Sequence, residues 1–221
     1  MAEGEGSHDA MDRYLAREPQ RLRRNADEPL PARSALYDRG ARLSLRVAET
    51  SQLSLDEQAP LRVMFDAAWV TRTTSFSHDD WASATGGTHF LLEIDGTCVS
   101  HASVVERLLE TGRRELRTGY VEAVATDPEH QRLGYATHVM QAVGAFIDQR
   151  YELGALDTGL SAFYERLGWK VWRGPTAVRI ERCTIGTPEE DGLVMIRRTP
   201  STPEIDLEAS ISCDWRPGDV W

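Results

Sequence analysis

TGYVEAVATDPEHQRLGYATHVMQAVGAF, residues 118–146, carries a strand pattern into a long helical pattern across a short turn. Glu115 to Thr126 reads as a strand that follows a turn at Gly112 and ends at Asp127-Pro128. From Leu133 to Tyr151, Ala136, Val139, Met140, Val143, Phe146 and Ile147 fall at helical spacing. A helix start leaves several N–H groups without intrahelical partners. Gly134 and the small Ala136 let an anion approach that backbone closely, and Arg132 adds positive charge. With the helix dipole, this predicts a seat for a pyrophosphate. The same string also fits an ordinary helix start after a proline turn, because short glycine motifs carry little information.

Working outward, strands and helices alternate. Leu43 to Val47 alternates as a strand, and Asp56 to Val70 places Leu61, Met64, Phe65, Ala68 and Trp69 at helical spacing. Thr88 to Ile94 and Thr97 to Leu109 are β-rich runs joined by Asp95-Gly96, a hairpin signal. Beyond the long helix come a short strand near Gly154 to Leu156, a helix through Phe163 and Leu167, a strand from Trp169 to Arg173, and a β-rich tail. The order predicts a mixed α/β (α+β) domain over residues 43–221, not a doubly wound sheet. Residues 1–42 are rich in Arg and acids, with Pro19, Pro29 and Pro31 as punctuation. They are expected to form an extension, partly disordered or packed on a neighbour.

The 221 residues hold 25 Lys+Arg against 35 Asp+Glu, a formal net charge of −10. That balance argues against nucleic acid or an anionic membrane as the main partner, because phosphate binding needs basic patches. Residues 1–42 carry eight acids and eight arginines, so the whole surplus lies in the body of the chain. It serves either solubility or a cationic partner. Cys98, Cys183 and Cys213 form no CxxC pair, and the N-terminus lacks a signal-peptide pattern, so the expected location is cytoplasmic. The six histidines have no metal-ligand spacing. His89 and His101 read as structural residues within strands.

The Gln131-x-x-Gly134-x-Ala136 string resembles the acetyl-CoA motif of the GNAT acetyltransferases. GGTHFLLEIDG, HASVVERLL, LRTGYVEAVA, YELGAL, FYERLGWKVWRGPT, TPEEDG and the terminal CDWRPGDVW resemble, in order, the aminoglycoside 2'-N-acetyltransferases. The terminal block is the most specific of these. The resemblance implies a GNAT fold with a central, mostly antiparallel sheet flanked by helices. It also implies acetyl-CoA as cosubstrate, a polycationic aminoglycoside as acceptor, antibiotic resistance as the role, and a homodimer.

Three residues receive catalytic roles from the resemblance: Glu122 as general base through ordered water, Tyr164 as general acid toward the thiolate, and the Val124 N–H as oxyanion donor. Val124, Ala125 and Thr126 are expected to pair with pantetheine, and Gln131, Arg132, Leu133, Gly134, Tyr135 and Ala136 to hold pyrophosphate. The acceptor is expected to meet Ser75, Asp80, Glu122, Ala123, Asp157, Glu189, Glu190, Asp219 and Trp221. Read alone, Glu122 is a strand residue among Tyr120, Val121, Ala123 and Val124. With an ordinary pKa of about 4.3 it makes a weak direct base but a good anchor for an ammonium. Tyr164 alone reads as a core aromatic, and each acid alone as a solvated turn or cap residue. Carboxylates gathered around a polycation would supply charge-assisted hydrogen bonds and steering.

The chain departs from that family's pattern in three places. Ser75 stands where an aspartate is frequent, Asp157 where a serine is common, and Glu190 where several relatives have Asp. The alternatives are therefore another amine acceptor, such as kasugamycin, or a binding module without catalysis.

Overall fold

Asp95 and Gly96 both adopt positive φ, 50° and 84°, which a tight hairpin turn demands. They join β2 (Thr88–Ile94) to β3 (Thr97–Thr111), as their sequence predicts. The computed structural model of the protein describes residues 42–69 and 77–221. The expected 1–42 extension therefore lies outside the described residues except for Arg42, whose N–H donates to Asp95 Oδ1 at 2.9 Å.

β1 (Leu43–Glu49) pairs antiparallel with β2, and β4 (Arg114–Thr126) pairs antiparallel with β3. The long β3 binds β2 along its first half and β10 (Ile211–Asp214) at its far end. On the other side, β5 (Leu153–Asp157) lies parallel to β4, followed by β9 (Val194–Arg198) and β6 (Lys170–Val171). β10 also runs parallel to β7 (Thr176–Ile180), which pairs with β8 (Cys183–Gly186). The sheet is mixed and mostly antiparallel, with helices on both faces.

One face is covered by α3 (Tyr135–Arg150) and the short α4 (Ser161–Glu165). Val139, Met140, Val143 and Ile147 of α3, with Tyr164 of α4, pack on Phe90, Leu92, Val104, Val121 and Met195. The opposite face is shared. Leu61, Met64 and Phe65 of α1 (Leu55–Trp69) cover Leu91 and Ala125. Trp172, Val220 and Trp221 cover Leu109, Tyr120, Ala155 and Ile196. Each large apolar side chain so buried contributes about 1.5–3 kcal/mol, which outweighs intrinsic helix propensity in fixing α3. Gly119 permits the close seat of α3: a Cβ there would fall 2.7 Å from the Tyr151 ring. Arg197 on β9 clamps the same helix through Asp148, at 2.9 and 2.6 Å.

Two departures from regularity open the sheet. β4 and β5 are paired only from Thr118–Tyr120 against Leu153–Ala155, so Val121 to Thr126 continue without a β5 partner. In the same stretch the β3–β4 register shifts, leaving Ala123 and Val124 opposite the single residue Ala102. Ala123 has φ 48°, the αL region that a bulge can impose. The extra residue resets the alternation, so Val124 packs toward α3 and Ala125 toward α1.

Several boundaries differ from the periodic reading. α3 begins at Tyr135 rather than Leu133, because Gly134 takes φ 84° as N-cap. The expected Trp169–Arg173 strand shrinks to Lys170–Val171: the Trp169 N–H bonds back to the Tyr164 carbonyl, and beyond Trp172, whose N–H still donates to Val194 of β9, the Arg173 and Gly174 N–H groups turn to the Leu207 carbonyl. A helix absent from the periodic reading, α2 (His78–Ala84), starts with a capping box. Ser77 accepts from the Asp80 N–H, and the Asp80 carboxylate accepts from the Ser77 N–H.

Candidate active site

The strand-to-helix turn is built from local hydrogen bonds. Asp127 Oδ1 accepts from the Glu129 N–H at 2.8 Å, and Gln131 Nε2 donates to the Thr126 carbonyl at 3.2 Å. Arg132 and Gly134 both take positive φ, 64° and 84°. No side chain caps the start of α3, whose first bond runs from the His138 N–H to the Gly134 carbonyl. The N–H groups of the first turn are therefore available to a ligand. Gln131, Arg132 and Gly134 are exposed, and a Cβ at Gly134 would meet nothing within 4 Å. Leu133 and Tyr135 turn into the α3 core, so within the 131–136 string the backbone and Arg132 are what an anion would meet.

Tyr164, Val124 and the start of α3 lie on one side of the sheet. Tyr164 is buried, edge-on to Phe163 at 4.9 Å, in the cluster against which Val124 packs. Burial pushes its phenol above the usual range. It therefore stays protonated and can act as a proton donor but not as a base.

Glu122 lies beside the bulge on the opposite side, against the C-terminal block. Its carboxylate meets Arg216 Nη2 at 2.6 Å, with both side chains largely buried. The Arg216 guanidinium lies 5.6 Å from the Tyr120 ring centroid, and Arg107 lies 4.7 Å from it. Arg216 Nε donates to the Asp219 carbonyl at 2.8 Å. Arg107 donates to the carbonyls of Val220 and Asp214, both at 2.7 Å, and so pins the terminal block to β3. Burial pushes the Glu122 carboxyl up to about 7, against the pull of Arg216 and Arg107 and with a further push from Asp219. This corrects the expectation of an ordinary carboxylate. A group that titrates near neutrality is a competent proton acceptor.

The acids expected around the acceptor occupy several elements. Asp157 ends β5; burial first, and then Asp157 and Glu122, disfavour ionisation of Tyr120. Glu190 is buried at the end of a 3₁₀ turn, Pro188–Glu190, and its neighbour Glu189 is exposed. Thr187, just before that turn, accepts the Trp221 indole N–H at 3.1 Å. Asp80 is held in its capping box. A Cβ at Gly218 would fall 2.8 Å from that of Asp79, which puts the start of α2 against the terminal block. Glu122, Asp157 and Asp219 thus share one electrostatic neighbourhood, with α2 and the 187–190 turn tied to it through the terminal block. Ser75 lies outside the described residues, as does Arg72.

The GNAT acetyltransferase family model matches residues 54–169. The chain belongs to the GNAT acetyltransferase family. It is 40% identical over 181 residues to an aminoglycoside 2'-N-acetyltransferase of Mycolicibacterium fortuitum, covering 80% of this chain and 91% of that protein. Its fold resembles the Escherichia coli GNAT protein YhbS solved in complex with CoA, with TM-score 0.57, 11% identity and 80% and 92% of the two chains covered. A GCN5-related N-acetyltransferase from Kribbella flavida matches with TM-score 0.50 at 17% identity; 61% of this chain aligns, spanning 34% of that longer one.

In this GNAT chain, the residues that sequence reasoning missed are Arg216 and Arg107. The signal was present: a glutamate buried in an apolar strand requires a cationic or hydrogen-bonding partner. The partner's position, 94 residues away, is visible only in the fold. Among the described residues, no group of three His, Cys, Asp or Glu side chains could hold a metal ion, and no helix is long and apolar enough to cross a membrane.

His89 and His101 are structural, as read, but they form a buried pair at 2.9 Å rather than separate residues. Burial pulls them down to about 4 and about 3. Above the unfolded pKa of about 6.5, neither state carries a proton on the rings. As pH falls below that value, the unfolded chain takes up protons that the folded one refuses, so the pair's contribution is progressively lost. Urea unfolding at pH 7, 6 and 5 should give a steeper loss of stability than in a His89→Gln, His101→Asn double variant. Equal slopes would remove the pair as the cause.

Proposed function

We propose that the protein transfers the acetyl group of acetyl-CoA to the 2'-amine of aminoglycoside antibiotics, by direct attack and without an acyl-enzyme. One observation carries the reading: Glu122, raised to about 7, sits at the bulge between the unpaired edge of β4 and an acid-rich terminal block. The 40% identity to an aminoglycoside 2'-N-acetyltransferase supports the choice of acceptor.

When bound, acetyl-CoA supplies an activated acyl group as a thioester. Val124 to Thr126 offer strand backbone to its pantetheine, and Gln131 to Ala136 offer N–H groups and Arg132 to its pyrophosphate. Glu122 accepts the proton of the attacking ammonium through water, freeing the lone pair. The C–N bond forms as the C–S bond breaks. The Val124 N–H holds the oxygen that becomes negative, Tyr164 gives its proton to the departing thiolate, and the second proton the amine loses on becoming an amide returns through water to the phenolate. Asp157, Glu190 and Asp219 hold the acceptor's other ammonium groups. A resistance role, a homodimeric state and a cytoplasmic location belong to the same reading, and the first two rest on the family resemblance.

Thiol release from acetyl-CoA, measured across 2'-amino aminoglycosides, aminoglycosides without that amine, and kasugamycin, tests the proposal. Release with the 2'-amino compounds alone is the expected result. Release with kasugamycin alone would reassign the acceptor, which the Asp157 and Ser75 departures make the second reading. Tight drug binding without release would make the protein a binding module. In the same assay Tyr164→Phe should lower kcat by about 10- to 100-fold, because only the leaving-group proton is lost.

A further inference from the structure

Two fully buried histidines in adjacent strands are an expensive way to fill a core, since each ring nitrogen needs its own partner. The partners form a single chain. His101 Nδ1 lies 2.8 Å from the Ala123 carbonyl oxygen, His101 Nε2 lies 2.9 Å from His89 Nδ1, and His89 Nε2 lies 2.8 Å from Thr50 Oγ1. A carbonyl only accepts, so His101 carries its proton on Nδ1 and, as a neutral ring, accepts at Nε2. His89 must then donate from Nδ1 and accept the Thr50 hydroxyl proton at Nε2. One acceptor therefore fixes both tautomers and the direction of every bond.

At the outer end, Thr50 Oγ1 accepts from the Gly86 and Gly87 N–H groups, at 2.9 and 3.3 Å. Its own proton has two acceptors within reach, His89 Nε2 at 2.8 Å and the Gly87 carbonyl at 3.1 Å, and the Gly87 carbonyl also takes the Thr50 N–H at 3.0 Å; the shorter contact, with the tautomer set from Ala123, directs the hydroxyl to His89. The His101 ring is held edge-on by Phe65, 5.0 Å between centroids.

The inner end falls on the bulge residue of β4, the one with φ 48°. The Ala123 carbonyl and the Val124 N–H belong to one peptide unit. In a planar trans peptide these two groups point in opposite directions. Holding the carbonyl toward His101 therefore aims the Val124 N–H away from it.

We propose that Thr50, His89 and His101 form a positioning relay that fixes the Ala123–Val124 peptide plane, and with it the N–H that receives the developing negative charge in acetyl transfer. The proposal rests on the acetyltransferase reading above and makes none of the three a catalytic residue. It accounts for why a polar chain was built from the residue that follows β1, through β2 and β3, to end on the one residue that breaks the β3–β4 register.

The test compares His101→Leu, which removes the donor to Ala123, with His101→Asn, whose amide places an N–H where Nδ1 was. His101→Leu should lower kcat for thiol release by about 10- to 100-fold, less than the 10²–10³ for removal of an oxyanion donor. The KM values for acetyl-CoA and amine should stay within about threefold, as expected when only transition-state contacts are lost. His101→Asn should restore kcat to within about fivefold of the parent, and the amide resonance of Val124 should move in the Leu variant but not in the Asn variant. Thr50→Val, at a half-buried site, serves if His101→Leu does not fold, with an expected kcat loss of about threefold or more. Loss of thermal stability with kcat per folded molecule unchanged, in whichever variant folds, would overturn the relay alone. Absence of thiol release by the parent with any amine would overturn the acetyltransferase reading and the relay with it.

Discussion

Glu122→Gln should lower kcat/KM for a 2'-amino aminoglycoside by about two decades while the protein remains folded. Gln keeps the shape and an oxygen for Arg216 but cannot take the ammonium proton, and positioned general bases contribute about 10²–10⁴-fold. The pH profile sharpens the expectation. In the parent, the carboxyl is held at about 7, so kcat/KM should rise with pH through that value as the base becomes available. That acidic limb should vanish in Glu122→Gln. Stability should respond in the opposite sense. An acid whose folded pKa lies above its unfolded value stabilises the fold at low pH, and that contribution is lost as pH rises through about 7. At pH 8 the Gln variant should therefore melt no lower than the parent. A parent profile flat between pH 6 and 8, or a variant with undiminished rate, would take Glu122 out of the proton transfer.

Most of the scaffold was legible because it is written in local periodicity and turn chemistry. Asp95-Gly96 states its hairpin, and the 3.6-residue spacing from Ala136 to Ile147 states α3. The parts that were not legible depend on pairing over distance. The bulge at Ala123 leaves no mark in VEAVA, because Ala tolerates either face and the register shift is set by β3. The strand expected at Trp169–Arg173 keeps only Lys170–Val171, its end drawn off to a segment some 35 residues later, which no window of periodicity contains. α2 was the exception: Ser77 and Asp80 stand at capping-box spacing and could have been read. The site divides the same way. The uncapped start of α3 follows from Gly134 and its flanking residues. The neutral-range Glu122, by contrast, follows from burial under a terminal block that only the fold brings there.

Arg216→Leu should move the acidic limb of kcat/KM upward by at least one pH unit, the second large effect. Arg216 is the largest influence holding the Glu122 carboxylate charged against burial; Arg107 acts the same way more weakly, while Asp219 and burial oppose both. The Tyr120 ring is near both guanidiniums, 4.7 Å from Arg107 and 5.6 Å from Arg216, and Asp157 adds negative charge beside it. Removing one partner of a largely buried pair typically costs about 3–5 kcal/mol when the remaining charge stays uncompensated. Here the carboxylate can escape by taking a proton, so the stability loss at pH 7 should be smaller and the kinetic loss larger: at least about tenfold in kcat/KM, since one pKa unit is about 1.4 kcal/mol. Above pH 9 the two enzymes should converge in kcat. Arg216→Lys keeps the charge without the planar contact with Tyr120 and should fall between the two. A pH profile unmoved by Arg216→Leu would mean that burial and Arg107 alone set the state of Glu122, and that the 2.6 Å pair serves only to fasten the terminal block.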